Sequence, residues 1–547
     1  MRFNARLSHL YRHRRLFAAL LALAFSLLSC SLGPRASREP LFIPVPGANQ
    51  WTVTLPQTPL TTENAVPSPT LPLAINSTPV QSVPPEDTPA PETSTPPPPT
   101  ITATPPLVNT TPFLYYTQAG DTLPVVAFRF GVQPEEITSP VPLPAEALLN
   151  PGLLLVIPRR IANTTSPEHL VPDSEIVFSP SAVDFNVREF VDQAGGFLSS
   201  FTQYLGSTGN TRGADVVARV AIENSVNPRI LLALLEYESG WVYGSPENAD
   251  QIDYPMGLVD AREKGLYHQL TWALSQLSQG YYGWREGRLV ELRFSDGITA
   301  RLAPDLNAGT TALQYFFAQR RDSQGWLEAL DPESGFPALY ESMFGSLWVR
   351  AQTVEPLYPP DLTQSPLILP LMLNQIWGYT GGPHGAWERD GAWAAVDFAP
   401  GSTESGCVDT DVTAVAAAAG LIARSRNGVV TIDLDGDGRE QTGWVLMYLH
   451  VAAKGRIAEG TWVEVGDPIG FPSCEGGFST GTHIHLARKY NGEWIVADGP
   501  LPFVLSGWTV HAGIKPYEGT LTRGDQTIQA SPLSPFASRI IRRADDP

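Results

Sequence analysis

The sequence predicts a multidomain chain: a disordered Pro/Thr-rich segment, a small βααβ module, a mostly α-helical domain and an antiparallel β-sheet domain. Three observations carry this. The chain has 547 residues, too many for one core when domains run to about 150. Of its 52 prolines, 21 fall among the 82 residues 31–112. Apolar residues recur at three-to-four spacing through the middle and in short strand-like runs in the last third, a change from the helical to the extended period. The expected boundaries are a leader at 1–30, a proline-rich linker at 31–112, the small module at 113–160, a linker at 161–180, the helical domain at 181–350, a linker at 351–366, the sheet domain at 367–530 and a tail at 531–547.

Charged residues are 17% and hydrophobic residues 43%, so the chain beyond the linker can bury cores. The formal charge is −19. Because the first thirty residues hold five Arg and no acid, the rest carries 31 − 55 = −24, which argues against a nucleic-acid binder.

Residues 1–15 are basic, Leu16 to Leu28 is an apolar run of 13, and Leu27-Leu28-Ser29-Cys30 closes it. This is the pattern of an export signal. Thirteen helical residues make about 20 Å, short of the roughly 30 Å of a bilayer core. The closing tetrapeptide resembles the lipobox of bacterial lipoproteins, which implies that Cys30 is lipidated and tethers the chain to the membrane. Cys407 and Cys474 remain as an even pair in an exported chain, readable as a disulfide or as two separate thiols. Residues 31–112 hold seven charged residues and many Thr-Pro steps, a composition that favours extended polyproline II, with a reach on the order of 250 Å.

From Tyr115 the chain reads YYTQAGDTLPVVAFRFGV and closes on LNPGLLLVIP at Leu149 to Pro158. The Gly120-Asp121-Thr122-Leu123 turn leading into a helix and the final strand resemble a LysM (lysin-motif) domain. That resemblance implies affinity for N-acetylglucosamine-containing glycan. Pro124 and the proline-rich stretch 139–144 depart from the motif.

Residues 186–205, 212–223 and 228–241 have helical spacing, and Asn227-Pro228 supplies a cap and a first-turn proline. The run from Val226 to Gly240 resembles the catalytic helix end of lytic transglycosylases and goose-type lysozymes, and Leu306-Asn307-Ala308-Gly309 a later helix of that fold. Glu238 would then be a general acid on a glycosidic oxygen. The glutamine of the family's Gly-Leu-Met-Gln stretch is missing from Pro255-Met256-Gly257-Leu258-Val259-Asp260, so a purely packing or glycan-positioning role for Glu238 stands beside the catalytic one.

Four of nine histidines, His384, His450, His483 and His485, lie within 102 residues. In the strand-like run Thr482-His483-Ile484-His485-Leu486, residues two apart share a face. His384 ends a glycine-rich turn, and Asp397 lies thirteen residues later in another apolar run. Two His and one Asp suit an open three-ligand zinc site. These motifs, with Met447-Tyr448-Leu449-His450 and Val465-Gly466-Asp467-Pro468-Ile469-Gly470, resemble the beta-lytic branch of the lysostaphin-type zinc metallopeptidases over about residues 367–513. The resemblance implies Zn²⁺ held by His384, Asp397 and His485, with His450 and His483 off the metal as proton-transfer and oxyanion groups. It implies an exported endopeptidase acting on peptidoglycan stem or bridge peptides. The competing readings are a wall-binding scaffold with little turnover and a bifunctional hydrolase that also uses Glu238.

Asp433-Leu434-Asp435-Gly436-Asp437-Gly438 has the start of a calcium loop but Trp444 at its twelfth place, and reads as a hairpin turn between 429–432 and 444–447. His169, His268, His511 and the basic Arg539 to Arg543 receive no role.

Overall fold

The computed structural model describes residues 111–387, 389 and 391–547. The leader, Cys30 and nearly all of the proline-rich segment lie outside the described residues.

In the small module, β1 (Phe113–Tyr116) pairs antiparallel with β2 (Leu154–Ile157), Phe113 opposite Ile157. Between them, α1 (Leu123–Phe130) starts at Thr122, whose side chain accepts from the Val125 N–H, and stops at Gly131 with φ 64°. Only glycine adopts that conformation without strain. Tyr115, Val126, Phe130, Leu149, Leu155 and Ile157 form the core. The second helix of the βααβ expectation is replaced by a 3₁₀ turn at Pro134–Glu136 and irregular chain. Pro140, Pro142 and Pro144 remove the N–H groups that a helix there would need.

The middle region is built on α2 (Val187–Ala194), α3 (Gly213–Asn224), α4 (Pro228–Ser239), α5 (Leu266–Arg285) and α6 (Ala308–Ala318). The helix expected over 186–205 breaks at Gly195, φ 72°, resumes for one turn at Phe197–Ser200 and gives way to a hairpin of Thr202–Leu205 with Gly209–Arg212. A glycine pair ends a helix at little cost, whatever the apolar spacing beyond it. Helix α4 is nearly surrounded: Ile230 through Leu235 are all fully buried.

The segments 161–180 and 351–366, expected as linkers, are packed instead. Val171, Ile176, Val177, Leu357 and Tyr358 join the helical core. Glu175, fully buried, accepts from the Tyr340 hydroxyl and the Arg350 guanidinium.

The carboxy-terminal domain is a nine-stranded antiparallel sheet. Its strands are β3 (Ile376–His384), β4 (Ala395–Pro400), β5 (Gly420–Arg426), β6 (Val429–Asp433), β7 (Trp444–Leu449), β8 (Trp462–Val463), β9 (Ile484–Tyr490), β10 (Glu493–Trp494) and β11 (Arg539–Ile541). The order is β8-β5-β6-β7-β9-β4-β3-β11, with β10 folded back on β9. The 433–438 segment is the β6–β7 hairpin turn, Asp433 opposite Val445. The last seventeen residues are not a free tail, because β11 pairs with β3 at the sheet edge. His511 lies in Trp508–Ala512 of a separate four-stranded sheet and bonds the Thr522 hydroxyl.

Alternation along the strands sorts side chains to two faces. Val396, Phe398, Leu446, Tyr448, Ile484 and Leu486 enter a core within this domain. Ala395, Met447, Leu449 and Ala487 enter the core shared with the helical region. The β9–β10 turn plugs into that region: the Ser225 hydroxyl donates to the Gly492 carbonyl, the Trp494 indole to the Asn224 carbonyl, and Arg285 pairs with Glu493. Among the described residues no helix is long and apolar enough to cross a membrane.

Candidate metal centre

His384 is the last residue of β3, Asp397 lies within β4, and His485 is the second residue of β9. Because β9 pairs with β4 in the register His485 opposite Asp397, and β4 with β3, three neighbouring strands deliver the three side chains to one point. By alternation Asp397 and His485 share the face of Ala395 and Ala487, the face that carries the helical region. Gly381 makes room for the carboxylate, since a Cβ there would lie 2.5 Å from Asp397 Oδ2.

The distances are 3.0 Å from His384 Nε2 to His485 Nδ1, 3.4 Å from His384 Nε2 to Asp397 Oδ1 and 3.3 Å from His485 Nδ1 to Asp397 Oδ1. Ligand bonds of about 2.0–2.1 Å at the tetrahedral angle give edges of about 3.3 Å. The outer nitrogens fix the tautomers: His384 Nδ1 bonds the Gly382 carbonyl at 2.8 Å and His485 Nε2 the Ala386 carbonyl at 2.9 Å. Carbonyls only accept, so those nitrogens carry the protons and the inner ones present lone pairs. Asp397 Oδ1 is buried without a hydrogen-bond donor. Three acceptors converging in a buried space fit a cation. Burial alone would raise the Asp397 carboxyl, but the neighbouring imidazoles, His384 first and then His483, hold it well below the usual carboxylate range.

His450 and His483 stand beside this triangle, their rings 4.5 Å apart. His450 follows β7 in a left-handed conformation, φ 66°, which costs a non-glycine residue about 1–2 kcal/mol. Its Nδ1 bonds the Glu475 carbonyl at 2.8 Å, leaving Nε2 free to accept. Burial, then His483 and His485, push this imidazole down to about 3, so it is neutral at working pH. His483 Nδ1 bonds the Gly481 carbonyl at 2.8 Å, and its Nε2 lies 3.6 Å from Asp397 Oδ1.

Cys407 and Cys474 form a disulfide that ties the loop before His483 to the loop after β4. The same loops are joined where the Val408 N–H donates to the Thr482 hydroxyl and that hydroxyl to the Val408 carbonyl.

Sequence reasoning missed Tyr517, whose ring stacks on His384 at 4.0 Å. Its backbone brackets the metal strand, accepting from the Gly382 N–H and donating to the Pro383 carbonyl. The only sequence signal is an aromatic in a polar loop, which spacing cannot connect to His384.

Glu238 ends α4 in the helical region. Arg321 donates to its Oε1 at 2.7 Å and Arg320 approaches Oε2 at 3.5 Å.

The helical region, residues 169–357, matches the family model described as LasA, N-terminal domain. The chain is 26% identical over 291 residues to Protease LasA of Pseudomonas aeruginosa, covering 50% of this chain, and 26% identical over 294 residues to the same protease of a second strain. It spans 65% of the length of these relatives. Among solved structures, it is similar to a novel M23 metalloprotease, pseudoalterin, from the deep sea, at 22% identity over 31% of this chain and 96% of that one, TM-score 0.26. It is also similar to the catalytic domain of the antimicrobial peptidase lysostaphin from Staphylococcus simulans, at 21% identity over 23% and 90%, TM-score 0.17.

Proposed function

We propose that this chain is a zinc metalloendopeptidase that hydrolyses stem or bridge peptides of peptidoglycan. The observation that carries it is the triangle of His384 Nε2, Asp397 Oδ1 and His485 Nδ1, three electron-pair donors on edges of 3.0, 3.4 and 3.3 Å. The similarity to Protease LasA supports it. Zinc bound there would polarise the scissile carbonyl and lower the pKa of water toward neutrality.

The chain's own residues supply the proton chemistry. Neutral His450 accepts at Nε2 the proton of the attacking water, its ring aimed by the Glu475 carbonyl. His483, aimed by the Gly481 carbonyl, faces the carbonyl oxygen as negative charge develops there. Either ring, once protonated, hands the proton to the leaving amine.

Cys30 carries the lipid that holds the enzyme at the extracytoplasmic face of the membrane, and residues 31–112 span toward the wall. The module at 113–160 holds N-acetylglucosamine-containing glycan, as the LysM resemblance supports. Arg321 and Arg320 engage Glu238, which supports a structural role for it over glycan cleavage.

The test is incubation with purified peptidoglycan, with and without a zinc chelator, scoring new amino groups and new sugar ends separately. New amines that vanish with chelator and with His485→Ala are expected. Wall binding by zinc-loaded protein without new amines would replace this reading with that of a scaffold.

A further inference from the structure

The two imidazoles that stand off the metal are held by two loops, and one covalent bond joins those loops. The first, residues 471–482, runs up to His483 and β9. The second, residues 401–413, leaves β4 and has no helix or strand of its own, which for a loop of this length calls for ties or a function. Residues 401–407 are exposed throughout, and the Cys407–Cys474 disulfide anchors this loop to the first.

Each cysteine is flanked by the groups that hold one histidine. Before Cys474, the Ser473 N–H and hydroxyl donate to the His450 carbonyl at 2.7 and 3.0 Å. After it, the Glu475 carbonyl bonds His450 Nδ1 at 2.8 Å. Before Cys407, the Gly406 carbonyl accepts from the Thr482 N–H at 3.1 Å. After it, Val408 exchanges bonds of 2.8 and 2.6 Å with the Thr482 hydroxyl. Thr482 adjoins His483, whose Nδ1 is aimed by the Gly481 carbonyl. The disulfide therefore links the support of His450 to that of His483, and the two rings lie 4.5 Å apart.

The three metal donors lean on neither loop. His384 and His485 are aimed by the Gly382 and Ala386 carbonyls, and Asp397 lies against Gly381 within the sheet. Metal binding and proton handling thus have separate supports, and the second passes through a bond that reduction can break. Cys407 is exposed and Cys474 half-buried, so a reductant can reach that bond.

Resting on the peptidase reading, we propose that the Cys407–Cys474 disulfide is a redox-controlled positioning device: oxidised, it sets His450 and His483 for proton transfer, and reduced, it leaves the metal donors in place with turnover off. External thiols are the reductant. Two of them pass two electrons and two protons to the sulfur pair and leave joined as a disulfide, while Cys407 and Cys474 become thiols. Displacing a catalytic group by about 1 Å costs on the order of 100-fold, so loosening the two loops is sufficient.

The test uses the full chain on purified peptidoglycan and compares wild type, wild type reduced by a water-soluble phosphine, and the double variant Cys407→Ser/Cys474→Ser. The phosphine replaces a thiol because thiols bind zinc. It becomes its oxide with the oxygen of one water, whose protons complete the two thiols. Zinc per chain, newly titratable thiols and the urea midpoint are read beside kcat and KM for amine release. Reduced wild type and the double variant should keep about one zinc per chain while kcat falls roughly tenfold or more and KM moves less than about twofold. Reoxidation should restore wild type and leave the double variant unchanged. If the double variant does not fold, the reduced wild type decides. An unaltered kcat in the zinc-loaded double variant, or in wild type whose two new thiols have been counted, overturns the proposal alone. Loss of zinc or of fold in step with kcat overturns it too, by making the disulfide a support of the metal donors or of the domain. No amine release by zinc-loaded, oxidised wild type overturns the peptidase reading and this proposal with it.

Discussion

His384 Nε2 and His485 Nδ1 lie 3.0 Å apart although 101 residues separate them in the chain, and the other nitrogen of each ring is bonded to a carbonyl. Two lone pairs at that distance repel unless a cation lies between them. Replacing His485 with alanine leaves two donors, so zinc per chain, measured after gel filtration, should fall from about one to near zero. His450→Ala and His483→Ala remove no donor of the triangle. They should keep zinc while amine release falls about 100-fold or more. Full zinc retention by the His485 variant would move the site elsewhere.

Gly492 makes the second prediction. It turns the β9–β10 hairpin with φ 80°, and a Cβ there would collide with the Phe178 carbonyl. Gly492→Ala should therefore cost roughly 2 kcal/mol or more, from strain and from displacing a buried interface. The urea midpoint would show this. An unchanged midpoint would mean that the hairpin does not dock on the helical region as described.

What was legible in the sequence follows from the range of the interactions. His483 and His485 are two apart in a strand, so their shared neighbourhood is a local property that spacing reveals. The helices and the antiparallel sheet likewise announce themselves through their periods. The packed segment at 161–180 did not. Asp173 is bonded to Arg285, Asn307 and the Gly309 N–H, and Glu175 to Tyr340 and Arg350. All these partners lie more than a hundred residues away, and without them the stretch is merely polar and aperiodic. Strand β11 is three residues long, below what any period can mark.

Glu440 is fully buried between Arg424, at 2.6 Å, and Lys489, at 3.1 Å. Burial would raise its carboxyl, but Arg424 and then Lys489 bring it down to about 2 from an ordinary 4.5. A carboxyl depressed in the folded state stabilises at every pH above its unfolded value. That contribution, on the order of 3 kcal/mol, is lost as pH falls from about 4.5 toward 2. Glu440→Gln should be less stable at pH 7, where it strands two buried cations, and should lose less stability on acidification than wild type. Urea midpoints of the two proteins between pH 7 and pH 2.5 should converge. Parallel curves would show that this carboxylate is not ionised in the folded protein.

Glu238 decides between chemistry and architecture in the helical region. Its oxygens hold Arg321 and Arg320, and Arg320 reaches on to the Met256 carbonyl and over the Trp272 ring. The carboxylate thereby ties the end of α4 to the chain after α6. Glu238→Gln keeps the shape but weakens both contacts, and with both arginines about a third exposed the loss should be only about 1–2 kcal/mol. Release of sugar ends from peptidoglycan should not change, while release of amines should continue at close to the wild-type rate. A general acid would behave in the opposite way, because an amide cannot donate the proton that glycosidic cleavage requires. Loss of sugar ends at unchanged stability would therefore make Glu238 a second active-site residue, and loss of stability alone would make it a structural pair.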